Sequence, residues 1–138
     1  MMGWTMAIVH NRPNTPTAPC AGHAVIDCQR ARVTARTSDA STVVAVSGEI
    51  DACNAEPVGE CLRGFVAPDR VLIVDLGGLG FLGVEGLTGL FRVGTECAAA
   101  GAQWALVTSH PVRRLLRVAD PERTLPAVGS MMEAAQRF

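Results

Sequence analysis

The stretch "RVLIVDLGGLGFLGVEGL", Arg70–Leu87, decides how this chain folds. Its opening, Arg70–Leu76, is an apolar run without alternation, which reads as a central strand buried on both faces. A glycine-rich turn follows. Beyond Gly83 the period changes. Leu87, Leu90, Phe91, Gly94, Cys97 and Ala98 fall on one face of a helix that Gly101 is placed to stop. A buried strand, a glycine turn and a helix form the repeating unit of a parallel α/β sheet.

Upstream, "ARVTART" (Ala31–Thr37) alternates with period two, as a half-buried strand does. "SDAS" (Ser38–Ser41) is a turn, and "TVVAVSG" (Thr42–Gly48) is a β-branched strand, so the two strands form a hairpin. Asp51 or Asn54 can cap the next helix, with Pro57 in its first turn. Ala55, Val58, Leu62 and Phe65 make its apolar stripe, and Pro68 is expected to end it. Downstream, "QWALVTS" (Gln103–Ser109) is another buried strand. Pro111 opens a helix with Val112, Leu115, Leu116 and Ala119 inward and Arg113, Arg114 and Arg117 outward. "DPERTLPAV" (Asp120–Val128) is a connection with room for one short edge strand. Ser130 and Glu133 have capping-box spacing ahead of a last helix, expected to turn Met131, Ala135 and Phe138 to one side. The fold class is therefore α/β, a mixed and largely parallel sheet of about four to five strands with about four helices.

Residues 1–29 lack apolar periodicity. "NRPNTPTAP" (Asn11–Pro19) reads as part of a flexible N-terminal extension, with a short strand possible at His23–Cys28. Residues 30–138 form the one domain that 138 residues imply. Hydrophobic residues make up 49% and charged residues 18%, a globular balance. With a formal net charge of -1, neither nucleic acid nor an anionic membrane is an expected partner. No apolar run reaches the roughly 18 residues of a membrane span, and no basic segment precedes a signal-type core. The expected compartment is the cytoplasm. Cys20, Cys28, Cys53, Cys61 and Cys97 contain no CxxC pair, and their odd number does not suit a secreted disulfide framework.

Catalytic patterns are thin. Gly78, Gly80 and Gly83 satisfy G-x-G-x-x-G between a strand and a helix. However, they follow the third strand rather than the first, and the next strand ends at Ser109 and His110 without an acid for a ribose. No Gly-Lys-Ser/Thr follows, and Gly83–Gly86 enclose Val84 and Glu85 rather than a nucleophilic serine. His10, His23 and His110 are scattered, and no metal-ligand spacing occurs. Asp75, at the end of the central strand, suits a structural acceptor of backbone N–H bonds. Glu49, Asp51 and Glu85 can converge, but no base or nucleophile stands with them. No enzyme activity, cofactor or metal is expected.

Four segments, in order, carry a resemblance. "VVAVSGEIDACNAEPV" (Val43–Val58) resembles the second strand and G-E-[LI]-D loop of STAS domains. "VLIVDLGGLGFLGVEGLTGLF" (Val71–Phe91) is similar to their strand–loop–helix, usually DLSGVxFxDSSGLGxL. "WALVTSHPVRRLLRVAD" (Trp104–Asp120) and "LPAVGSMMEAA" (Leu125–Ala135) match the later strand, helix and tail. The resemblance runs from Ala31 to Phe138 and is strongest to stand-alone bacterial anti-sigma factor antagonists. It implies a STAS fold that binds an anti-sigma factor of the serine-protein-kinase type, frees a sigma factor and so regulates transcription indirectly, as in stress responses.

In that family the kinase phosphorylates a serine in D-S-S/T-G. Those positions fall here on Gly83, Val84, Glu85 and Gly86, so the phosphosite position holds non-phosphorylatable Val84. The resemblance places partner contacts on Glu49, Asp51, Asn54, Gly83, Val84, Glu85, Gly86 and Thr88. Two readings follow. Val84 makes an always-competent antagonist, or Glu85 imitates the phosphorylated form at the helix N-terminus, where negative charge is favoured. Thiol chemistry at Cys53, Cys61 or Cys97 is a possible replacement input. Alternatives are a STAS module that binds a small ligand or nucleotide, and a subunit of a larger signalling complex. The expected assembly is a monomer or weak homodimer.

Overall fold

A computed structural model describes residues 22–138. The element order is β1 (Gly22–Cys28), β2 (Ala31–Thr37), β3 (Ser41–Ile50), α1 (Ala55–Arg63), β4 (Val71–Asp75), β5 (Leu79–Leu82), α2 (Val84–Ala100), β6 (Trp104–Val107), α3 (His110–Ala119), β7 (Ala127–Val128) and α4 (Met131–Gln136). Within the described residues all seven strands join one sheet in the order β1-β2-β3-β4-β6-β7, with β5 on β3. The hairpins β1-β2 and β2-β3 are antiparallel, and every other pairing is parallel.

The mixed, largely parallel sheet and the four helices agree with the sequence reading, but the strand count exceeds it. One extra strand is β1, where residues 22–28 of the expected extension pair along all of β2. Residues 1–21 of that extension, with His10, Cys20 and "NRPNTPTAP", lie outside the described residues. The other is β5, the second half of the glycine-rich turn. It runs parallel to β3 at Gly48–Ile50, whereas β4 pairs with β3 at Ser41–Ala45. β3 is ten residues long, roughly 33 Å at strand rise, so one edge seats two strands end to end. Within the β5 pairing the register shifts between Gly48, opposite Leu79, and Glu49, opposite Phe81, so that Gly80 is left over on β5.

Burial explains the two strand patterns. β2 alternates: Ala31, Val33 and Ala35 are buried and Arg32 and Arg36 are exposed. Leu72, Val74 and Leu106 of β4 and β6 enter the main core, with Val58 and Leu62 of α1, Leu90, Val93 and Cys97 of α2, and Val112 and Leu116 of α3. Ile73, Ala105 and Val107, on the opposite face, meet Ala134 of α4. Two covered faces therefore account for the unbroken apolar run of β4.

Helix details correct several expectations. α1 stops at Arg63 with Gly64 as C-cap, well before Pro68. In α2 the inward residue at mid-helix is Val93, and Ala98 is exposed. Ala119 of α3 is exposed too. In α4 the buried residue is Ala134, whereas Met131, Ala135 and Phe138 are exposed. The capping box forms on one side only. Ser130 Oγ accepts from Glu133 N at 3.1 Å, but Glu133 Oε1 accepts from Gly129 N at 2.7 Å rather than from Ser130.

Candidate functional site

Two loops meet at the carboxyl end of β3. One is the β3–α1 loop and the other is the β5–α2 turn. They are joined directly, because Gly83 N donates to Ile50 O at 2.9 Å.

The β3–α1 loop is built on Asp51 and Asn54. Asp51 Oδ1 accepts from Cys53 N at 2.9 Å and Asn54 N at 3.3 Å, an Asx-type turn. Asn54 has no exposed surface. Its Nδ2 donates to Glu49 O at 2.9 Å and Cys28 O at 3.1 Å, and its Oδ1 accepts from Asp51 N at 2.9 Å. The expected partner contact at Asn54 is therefore corrected: every side-chain polar atom is committed inward, and Asn54 shapes the loop that others present. Glu49 and Asp51 remain accessible, and Arg30 bridges them at 3.4 and 3.6 Å. These ion pairs are exposed and contribute little energy, but they set the direction of the side chains.

Gly48 makes this arrangement possible. Its φ is +95°, and a Cβ there would stand 2.2 Å from Arg30 O. The bare backbone lets the β1–β2 turn close onto β3, and Glu49 N then donates to Arg30 O at 3.1 Å.

The second loop ends in the first turn of α2. Gly83 is the N-cap, with extended backbone and no side chain to cap the helix. Val84 is 70% exposed and Phe81 is 49% exposed, so an apolar pair flanks the turn. Glu85 folds back: its Oε1 lies 3.4 Å from where a Cβ on Gly83 would stand, and the Phe81 ring is 3.5 Å from the same point. A carboxylate at a helix N-terminus is favoured by roughly 0.3–1 kcal/mol. Gly86 is buried, and a Cβ there would stand 2.6 Å from Leu82 and 2.7 Å from Ile50. Its expected role as a contact becomes one of close approach, seating α2 on β3 and β5. Thr88 is exposed and its hydroxyl donates to Val84 O at 3.1 Å.

A shallow cleft of about 210 Å³ opens beside this turn, between α1 and α2. Glu85 and Thr88 line one side. On the other, Glu56 pairs with Arg63 of its own helix at 3.7 Å and with Arg92 of α2 at 3.6 Å.

The structure thus brings Glu49, Asp51, Gly83, Val84, Glu85 and Thr88 to one end of the sheet, with Asn54 and Gly86 beneath them. Sequence reasoning missed Arg30 and Phe81. A lone aromatic among glycines was the available signal for Phe81; nothing local marks Arg30, whose role depends on the close approach at Gly48. Of the cysteines, Cys28 and Cys61 lie near enough to interact electrostatically. Burial pushes the Cys61 and Cys97 thiols up to about 11, with Glu96 adding to the effect at Cys97. Burial, then Cys61 and Asp27, pushes Cys28 up to about 12. Cys53 is exposed. Among the described residues, no helix is long and apolar enough to cross a membrane.

Fold and surface together define a mixed-sheet α/β domain that sets an acidic loop beside a helix N-terminus. The chain belongs to the STAS domain family, whose model matches residues 32–128. It is similar to the crystal structure of an anti-sigma factor antagonist from Mycobacterium paratuberculosis, with a TM-score of 0.69 and 26% identity over 78% of this chain and 92% of that one. The fold is shared with the anti-sigma factor antagonist SpoIIAA in its unphosphorylated form, at a TM-score of 0.57 and 16% identity over 84% of this chain and 95% of that one. In sequence it is 37% identical over 91 residues to osmosensory protein A of Mycobacterium tuberculosis, spanning 66% of this chain but only 58% of that protein.

Proposed function

We propose that this chain is an anti-sigma factor antagonist that binds an anti-sigma factor of the serine-kinase type without being switched off by phosphorylation at the usual position. The observation that carries this reading is Val84. It occupies the first residue of α2, is 70% exposed and lies in the turn flanked by Phe81. An apolar side chain takes no phosphate and suits an apolar contact. Around it, Glu49, Asp51, Glu85 and Thr88 supply the polar rim, while Asn54 and Gly86 hold the two loops in register. Similarity to the mycobacterial antagonist supports the partner class, and the relative named osmosensory protein A supports osmotic stress as the upstream signal. Binding needs no catalysis by this chain, and its consequence is release of a sigma factor.

A second reading rests on Glu85, whose carboxylate folds against Gly83 at the helix N-terminus. There it imitates part of the charge of a phosphoserine, about one unit against the −1.5 to −2 of phosphate.

Calorimetric titration against anti-sigma kinases of the source cell separates the two, using the wild-type chain and Glu85→Ser. The first reading expects tight wild-type binding that persists when the kinase is supplied with ATP. Binding only by Glu85→Ser would establish the second reading. Binding by neither would remove the anti-sigma assignment.

A further inference from the structure

A larger cavity, of about 460 Å³, lies away from these loops, among α3, the α3–β7 connection and the start of α4. Its volume is that of a small-molecule site. Three arginines border it: Arg113 and Arg117 from α3 and Arg123 from the connection. None of the three guanidinium groups has a hydrogen bond or ion pair to another described residue, whereas those of Arg30, Arg32, Arg63 and Arg92 all pair with carboxylates.

The two acids at the cavity are already engaged by donors of the protein's own. Asp120 accepts from Thr124 N at 2.9 Å, Thr124 Oγ1 at 2.8 Å and Leu125 N at 2.9 Å. Glu133 accepts from Gly129 N at 2.7 Å. Three arginines against two carboxylates leave the cavity lining with one positive charge in excess. Arg113 Nη2 lies 3.8 Å from where a Cβ on Gly129 would stand, and Glu133 Oε1 lies 3.5 Å from the same point. Arg123 adopts a left-handed backbone, φ 57°, which bulky residues rarely occupy. The floor between the arginines is apolar, made by Leu116, Leu125 and Val128.

We infer that this cavity is a binding site for a small organic phosphate. Guanidinium groups offer planar, paired N–H donors that match phosphoryl oxygens, and several around one cavity suit a dianion rather than a single carboxylate. The apolar floor takes the organic body. None of the residues named here belongs to the surface around Val84, so the two sites are separate.

The test uses the full chain, ¹⁵N-labelled, with backbone and arginine Nε–H resonances followed by NMR. The probes are 1-naphthyl phosphate, inorganic phosphate and 1-naphthol. The expected result is saturable shifts at Leu125, Gly129 and the Nε–H of Arg113 and Arg117 with 1-naphthyl phosphate, which binds roughly tenfold more tightly than either fragment. Arg113→Gln with Arg117→Gln, both at exposed positions, is expected to weaken it by roughly tenfold or more. Arg114→Gln, on the same helix but outside the cavity, is expected to leave it unchanged. No saturable shift, or shifts indifferent to the double variant, would overturn the site. Equal affinity for inorganic phosphate would overturn the organic ligand, and equal affinity for 1-naphthol would overturn the anion.

Discussion

Asn54 shows what one side chain does when it is wholly enclosed and wholly bonded. Replacing it with Ala strands Cys28 O, Glu49 O and Asp51 N, and leaving a buried polar group unpaired costs about 1–3 kcal/mol. Asn54→Ala is therefore expected to lower the urea midpoint by at least that equivalent; an unchanged midpoint would mean the loop holds itself. Asp120 makes the corresponding statement about acid. Burial raises its carboxyl, but the donors from Leu125 and Thr124 outweigh this and hold it below the usual carboxylate range. A depressed acid stabilises the fold fully above its unfolded value, and that contribution is lost as pH falls through the folded one. Urea titrations in the acid range are expected to show this loss in the wild type and a weaker pH dependence in Asp120→Asn. Among the thiols, Cys53 is the exposed one in the described residues, and Cys61 and Cys97 are held protonated by burial. Maleimide labelling of the native chain with peptide mapping is expected to mark Cys53 well before those two. Equal rates would show that the helices open readily.

At the scale of elements, legibility followed the strength of local pattern. β4, the β2–β3 hairpin and α2 each carry a long run of one period, and each formed near its expected place. β5 was illegible because "LGFL" is short and glycine-interrupted, and its pairing partners are 31–32 residues away in sequence. β1 was weak for a different reason: its residues lack a clear apolar period, and its strand character comes from β2 alongside it. The candidate surface was legible where it rests on motif position, as at Val84 and Glu85. It was not legible where packing decides, since burial at Asn54 and Gly86 depends on elements brought together only by folding. Gly48 is the element-scale device that such reasoning undervalues. Gly48→Ala meets both an unfavourable φ and the Arg30 carbonyl, and the backbone term alone is about 1–3 kcal/mol. The variant is expected to melt lower and to shift the Arg30 and Glu49 amide resonances together. Shifts confined to residue 48 would show that the turn does not depend on this contact.

For the molecule as a whole, the sheet is covered unequally. α1, α2 and α3 share the large core, whereas on the other face Ala134 of the six-residue α4 meets Ile73, Ala105 and Val107. A short helix held by one buried side chain opens at low cost. Native-state hydrogen exchange is expected to rank α4 among the least protected helices and β4 among the most protected strands; equal protection would mean that α4 unfolds only with the whole domain. The long strand β3 has a different consequence. β4 and β5 share its edge, and the register shift falls inside the β5 pairing at Gly48–Glu49, so β3 acts as a ruler with a joint near one end. Deleting one residue ahead of the joint would reverse which side chains face inward on one segment relative to the other. Such a strand is expected to tolerate single substitutions better than insertions or deletions. A change in length inside β3 would therefore displace the acidic loop from the turn that carries Val84, because Gly83 N is anchored to Ile50 O.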